Sequence, residues 1–384
     1  MQVGILGGGQ LSRMLAEAAL KMGLNLRVYT QSAEDPAAQV CAAEALVLGR
    51  PDDPQKLREF LSQCDQVVFE NEFLDISLLR EASQGLPVRF SPKLEVMEKF
   101  QDKLTQKYIL VAEKMATAPF KVLSSREIPK DFGDDYVLKW SRGGYDGKGT
   151  WISPGKNVTA AAFIEEGLSL GAQIYAEKKI KFVRELALVS FAGAKGEFQA
   201  LPLVISHQEN GICRWVKGPA TALGAPKELE AKACLRAEKL ARAFGLIGAF
   251  AIEFFETSDG ELWVNEIAPR VHNSGHFSMT ACLASQFENH WRAVLGIEMG
   301  SVRTRGAVFG MWNLLGPQGA PKIQAVPPES STGIELYWYG KGELRSGRKM
   351  GHFNTVASTA SELESRMQEM KEQESKWLKS LKLA

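Results

Sequence analysis

The chain has 384 residues, 45% hydrophobic and 24% charged, which is long enough for two or three domains with a substantial core and too apolar for intrinsic disorder. Its 46 Lys plus Arg against 45 Asp plus Glu leave a net charge of +1 with no block of like charge, which argues against a phosphate-tracking nucleic-acid binder. Five scattered cysteines without a CxxC pair give no zinc knuckle or disulfide framework and fit a reducing cytoplasm, and the apolar runs fall well short of the ~20 residues of a membrane span.

The chain opens directly in a strand, so no targeting segment is expected before the fold. The short apolar run Val3-Gly4-Ile5-Leu6 closes in Gly7-Gly8-Gly9, and helical periodicity follows from Leu11 to Gly23. LNLRVYT (24–30) is a second strand, and further alternation runs through PQKLREFLSQ, DQVVFEN and SLLREASQG. This predicts a doubly wound α/β domain over 1–92, ending at Ser91-Pro92. One helical stretch is expected over 95–115, then a strand at 136–140 and strand pairs across 173–205. A helix over 228–244, a strand–turn–strand over 248–270 and a helix over 281–295 complete a middle domain of 93–300. The remainder, 301–384, reads as short strands closed by a charged helix.

Five motifs carry candidate chemistry. Gly7-Gly8-Gly9-Gln10 lies between a strand and a helix, where backbone N–H groups favour an anion; the other reading is a tight turn. It is a poor dinucleotide fingerprint, because Ser12 stands where a third glycine belongs and the second strand ends in Tyr29-Thr30 without an acidic residue. Arg142-Gly143-Gly144-Tyr145-Asp146-Gly147-Lys148-Gly149 mixes glycine with charge and reads as a loop closing over phosphates or as an ordinary hairpin loop; it is not a Walker A loop.

The third motif is a hairpin. With Asp259-Gly260 as a two-residue turn, 258 faces 261 and Glu253 faces Glu266. Phe255, Leu262 and Val264 are then expected on the same face. Two opposed carboxylates on an apolar face repel each other, and a divalent cation relieves that penalty; the other reading is a solvent-exposed face with harmless glutamates, and a bulge would break the register. Oxygen ligands point to magnesium or manganese, hence to nucleotide phosphates. The fourth motif, Arg270-Val271-His272-Asn273-Ser274-Gly275-His276, follows directly and suits an anionic intermediate; Gly275 and Ser274 disfavour the regular helix that a His pair would need to bind metal. The fifth, Lys341 to His352 with Arg345, Arg348 and Lys349 among glycines, reads as a phosphate loop or a solvated hairpin tip.

Together these residues resemble the N5-carboxyaminoimidazole ribonucleotide synthetase family, the ATPase subunit of phosphoribosylaminoimidazole carboxylase, nearly end to end. GILGGGQLSRML, QDKLTQK, RGGYDGKG, NEIAPRVHNSGH, SQFENHWRAVLG and YGKGELRSGRKMGH occur in the family's order, NEIAPRVHNSGH and GRKMGH being the specific ones. The resemblance implies an ATP-grasp architecture: an N-terminal doubly wound α/β domain, a two-lobed central domain and a small C-terminal β-rich domain. It implies ATP- and bicarbonate-dependent carboxylation of 5-aminoimidazole ribonucleotide through carboxyphosphate, in purine biosynthesis. Lys103, Lys139 and Lys148 match positions on the ATP phosphates, Glu177 the adenine, Glu185 the ribose, and Glu253 and Glu266 the magnesium carboxylates. Arg270 would stabilise phosphoryl transfer, and Asp146 beside Tyr145 would orient or deprotonate the amine. Gly8, Gln10, His272, Asn273, Lys341 and Arg348 would hold the ribonucleotide. A cytoplasmic homodimer, handing its product to a mutase, is implied as well. The chain departs from the family pattern at Ser12, Phe73, Ile205, Ser206 and Gln208, all on the expected ribonucleotide side. An ATP-grasp ligase for another amine, or a non-catalytic nucleotide-binding homologue, is the alternative.

Overall fold

The computed structural model describes residues 1–123, 130–144, 147–155 and 158–382, whose strands form three sheets. The first is parallel: β1 (Gln2–Leu6), β2 (Asn25–Thr30), β3 (Leu46–Leu48), β4 (Gln66–Phe69) and β5 (Arg89–Ser91), in the order β3-β2-β1-β4-β5. Chain order reverses between β1 and β4, and in such sheets ligands bind beyond the carboxyl ends of the strands at that point. Those ends carry Gly7–Gly9 and Glu70–Glu72. α1 (Gln10–Lys21) leaves the glycine loop and buries Leu11, Met14, Leu15 and Ala19, the stripe its periodicity predicts. α2 (Pro54–Ser62) and α3 (Ile76–Ser83) start at Asp53 and Asp75, whose carboxylates accept from first-turn N–H groups.

The helix expected over 95–115 is two helices, α4 (Leu94–Phe100) and α5 (Lys103–Ala112). Asp102 is the cause: its carboxylate accepts from Thr105 N at 2.8 Å and from Arg142 Nε at 2.9 Å, starting a new helix in place of continuing the old one. The break puts Lys103 and Lys107, one turn apart, on a single face of α5.

β6 (Phe120–Val122), β7 (Tyr136–Trp140), β8 (Thr150–Ile152) and β9 (Ile174–Lys178) form a small antiparallel sheet, packed by α6 (Ala160–Ser169) around Trp140, Phe163 and Ile174. The large sheet contains β10 (Arg184–Ala192), β11 (Phe198–Ala200), β12 (Val204–Glu209), β13 (Ile212–Gly218), β14 (Gly248–Glu256), β15 (Leu262–Ala268), β16 (Val308–Leu315), β17 (Ile334–Trp338) and β18 (Lys349–Ala357). The strand pairing expected within 173–205 is therefore corrected at its start. β9 pairs with β6 and β7, β10 pairs with β14, and the chain changes sheet between Lys178 and Arg184.

α7 (Lys227–Phe244) lays Leu229, Ala233, Ala237 and Leu240 against Phe250, Ile252 and Phe254 of the large sheet. The helix expected over 281–295 is a short α8 (Ser278–Ala281) and then α9 (Gln286–Leu295), restarted by the Ser285 cap on Glu288 N. The C-terminal strands continue the large sheet through β13–β16 pairing at Trp215↔Trp312, so one surface runs from the Glu253 hairpin to the GRKMGH strand. α10 (Ala360–Ser380) covers it with Leu363, Met367, Met370 and Trp377, and its buried Glu374 accepts from Trp312 Nε1 at 3.0 Å and from the Arg214 guanidinium. Among the described residues no helix is long and apolar enough to cross a membrane.

Candidate active site

Glu253 and Glu266 are direct cross-strand partners, as the hairpin count predicts, but the route differs. Thr257 N donates to Glu261 O at 3.0 Å, so the loop is Ser258-Asp259-Gly260, with Gly260 at φ 75°. This three-residue turn moves the register by one, pairing Glu256 with Leu262 and Phe255 with Trp263; a bulge at Asn265 moves it back. Leu262 and Val264, expected beside the glutamates, therefore lie on the opposite face in the core with Ile252 and Phe254. The bulge also lets adjacent residues reach the cleft. Asn265 Oδ1 accepts from Lys139 Nζ at 3.0 Å, and Glu266 Oε2 accepts from Lys103 Nζ at 2.8 Å.

Burial pushes the Glu253 carboxyl up to about 7, helped by the charges of Glu266 and Glu185 and opposed by Lys103 and Lys139. Glu185 shares the face of β10 that carries Ala187, the partner of Glu253, and burial raises its carboxyl too. His272 Nε2 lies 3.7 Å from Glu253 Oε1, and its Nδ1 is 2.9 Å from Ser274 Oγ. Behind this pair Glu177 is buried between two lysines, Lys107 at 2.5 Å and Lys139 at 2.8 Å. Burial alone would raise the Glu177 carboxyl, but the two ammonium groups hold it below its ordinary range. Lys107, drawn down to about 8 by burial, was not among the residues expected here. Its signal in the sequence is a second lysine four positions after Lys103, one turn along the same helix. Lys148 is exposed, 6.0 Å from the Trp140 ring; Tyr145 and Asp146 lie outside the described residues.

Several of the residues expected to hold the ribonucleotide lie near the junction of the parallel sheet with the large one. Arg270 makes a two-point contact with Glu72, Nε to Oε2 at 2.5 Å and Nη2 to Oε1 at 3.0 Å. The glycine loop, read as an anion site or a tight turn, closes on an anion of its own chain: Gly9 N donates to Glu70 Oε2 at 2.8 Å. A Cβ on Gly9 or Gly7 would collide with the Glu70 carboxylate, and one on Gly8 with Thr30 Oγ1. Gln10 opens α1 beside them. Lys341 Nζ donates to Lys349 O at 2.7 Å, over the Tyr339 ring, and its charge reaches Glu70. Arg348 donates to Glu343 O at 2.7 Å. Asn273 is turned away from the cleft into a reciprocal amide pair with buried Asn313, at 3.0 and 2.8 Å. The HNSGH segment is a 3-10 turn, and His276 faces Gln286 and His352, so His272 and His276 form no metal pair. Among the described residues no three His, Cys, Asp or Glu side chains form a metal cluster.

Gly9→Ala should force Glu70 out of the loop. Overpacking of this kind costs about 1–3 kcal/mol, read as a lower midpoint in urea unfolding; an unchanged midpoint would show that the loop has room to spare.

The N5-carboxyaminoimidazole ribonucleotide synthase of Synechococcus elongatus is 37% identical over 376 residues, covering 94% of this chain and 91% of that one. The chain belongs to the N5-carboxyaminoimidazole ribonucleotide synthase family. Family models match in the expected order: a ribonucleotide synthetase preATP-grasp domain over 1–101, an ATP-grasp domain over 108–287 and a phosphoribosylaminoimidazole carboxylase C-terminal domain over 310–366. The phosphoribosylaminoimidazole carboxylase of Saccharomyces cerevisiae is 34% identical, over 95% of this chain and 65% of that one. Among solved structures of the synthase family, that from Aspergillus clavatus complexed with ATP superposes with a TM-score of 0.87 at 29% identity, covering 98% of each chain. The same enzyme with ADP and 5-aminoimidazole ribonucleotide gives 0.84 at 28% identity, again over 98% of each chain. The synthase family's ATP-grasp architecture is thus the fold of this chain, as the motifs imply.

Proposed function

We propose that this cleft uses ATP and bicarbonate to carboxylate the N5 amine of 5-aminoimidazole ribonucleotide, a step of purine biosynthesis. The chain is an ATP-dependent carbon–nitrogen ligase. The observation that carries the residue assignment is the cross-strand pair Glu253/Glu266, flanked by Lys103 and Lys139 and by Arg270 at the junction with the parallel sheet.

The carboxylate pair fits magnesium, with manganese as a substitute. It offers oxygen donors only, and burial beside Glu266 and Glu185 raises the Glu253 carboxyl despite the neighbouring lysines, a penalty that a bound cation would relieve. When bound, such an ion would supply positive charge against the transferring γ-phosphoryl group. Glu253 and Glu266 would hold it. Lys103 and Lys139 would orient the phosphate chain, with Lys148 reaching it from the glycine-rich loop, and Glu185 would take the ribose. A bicarbonate oxygen forms a bond to the γ-phosphorus as the bond to ADP breaks. The amine then bonds to the carboxyl carbon, phosphate leaves, and the amine gives up a proton, a role that falls to Asp146 beside Tyr145. Arg270 and His272 would stabilise the anionic intermediate. Gly8, Gln10, Lys341 and Arg348 would hold the ribonucleotide. A homodimer in the cytoplasm, passing its labile product to a mutase, belongs to the same reading.

The test is phosphate release from MgATP and bicarbonate, with and without 5-aminoimidazole ribonucleotide. Stimulation by the ribonucleotide is expected. ATP turnover indifferent to it would assign another acceptor. Nucleotide binding without turnover would leave a binding module only.

A further inference from the structure

Glu177 has a lysine on each oxygen, and the two lysines are held differently. Lys107 is 1% exposed, and its Nζ also donates to Thr117 Oγ1 at 2.6 Å; Thr117 in turn donates to Val264 O at 2.8 Å. It is thereby tied into the packing of α5 on β15. Lys139 is 8% exposed at the cleft wall, and its second partner is the neutral amide of Asn265. Both lysines are buried, Lys107 the more completely, and each has one neutral partner besides Glu177. A buried carboxylate tolerates losing a counter-ion only if another remains, because an isolated buried charge is strongly disfavoured.

We infer that Lys107 is a positioning residue for nucleotide binding: it stays on Glu177 as permanent counter-ion, so that Lys139 can leave Glu177 for the phosphates of the nucleotide. The inference rests on the phosphate role given to Lys139 above and adds the residue that makes that role available. Without Lys107, Lys139 becomes the sole partner of a buried carboxylate, and every phosphate contact must compete with Glu177.

The measurable quantity is the affinity of ADP relative to adenosine, because only ADP carries phosphates for Lys139 to reach. It is measured by calorimetry on the full chain, for wild type, Lys107→Met, Glu177→Gln and the double variant. Lys107→Met should lower the ADP-to-adenosine ratio at least about tenfold. The double variant should restore it to near wild type, since the neutral amide introduced by Glu177→Gln no longer holds Lys139. An unchanged ratio in Lys107→Met, or a double variant as low as the single one, would overturn the inference. If Lys107→Met does not fold, Lys107→Gln takes its place, read against the same two outcomes. Failure of the wild type to prefer ADP would sink the phosphate assignment of Lys139, which the variants alone do not touch.

Discussion

Replacing Glu253 or Glu266 with Gln should lower ribonucleotide-stimulated phosphate release by about 10²–10³-fold with the chain still folded. Each substitution keeps the shape of the side chain and removes half of the paired charge. The two variants should differ in stability. Glu266 is already bonded to Lys103, so Glu266→Gln leaves a buried ammonium less well matched. Glu253 is the less well compensated partner, with His272 Nε2 at 3.7 Å. Burial first, then Glu266 and Glu185, move its carboxyl from 4.5 to about 7. The folded chain therefore holds that proton at pH values where the unfolded chain has lost it, and stability conferred at low pH erodes as pH rises through the interval 4.5 to about 7. On the alkaline side of that interval, without divalent cations, Glu253→Gln should melt at or above the wild-type temperature; on the acid side the two should coincide. Magnesium should raise the melting temperature of the wild type and do little for the variant. A Glu253→Gln enzyme with wild-type turnover in magnesium and ATP would remove the carboxylate pair from the mechanism.

What the sequence made legible was local or periodic. The opening β1–α1–β2 unit follows from an apolar run, a glycine stop and a helical stripe, and it is found where expected. The carboxylate pair was reachable by counting from a turn, although two opposite errors cancelled. The turn is one residue longer than a two-residue hairpin and Asn265 bulges, so the right partners face each other while Leu262 and Val264 change sides. Asp102 before a run of helix formers is a cap signal that the continuous periodicity of 95–115 obscured. The change of sheet between β9 and β10 leaves no mark in periodicity, since both strands are buried. Glu70 and Glu72 needed the fold. Glu70 meets Gly9, and Glu72 meets Arg270, across the chain's full topology, and only the adjacency of β1 and β4 brings the first pair together. Phe73 is exposed at the same rim, so the departure from the family pattern there falls outside the packed core.

Arg270→Met should be damaging twice over, and the two effects should separate. Arg270 follows β15 of the large sheet and Glu72 follows β4 of the parallel sheet, so their two-point contact joins the halves of the cleft. Burial alone would lower the guanidinium and raise the carboxyl. Each instead moves further into its charged range, Arg270 upward beside Glu72 and Glu72 downward beside Arg270 and Lys103. Removing Arg270 leaves a largely buried carboxylate with one distant cation, a loss of about 3–5 kcal/mol in urea unfolding. It also removes the cation proposed to stabilise the anionic intermediate, an expected loss of about 10²–10³-fold in rate. Glu72→Gln keeps that cation but loosens its aim, and should reduce turnover less than Arg270→Met. The double variant Arg270→Met, Glu72→Leu replaces the pair with apolar groups. It should recover most of the lost stability, because no buried charge is left unmatched, and none of the lost activity. If its ribonucleotide-stimulated phosphate release returned along with its stability, Arg270 would be a clamp between the two sheets, with no part in stabilising the transferred phosphoryl group.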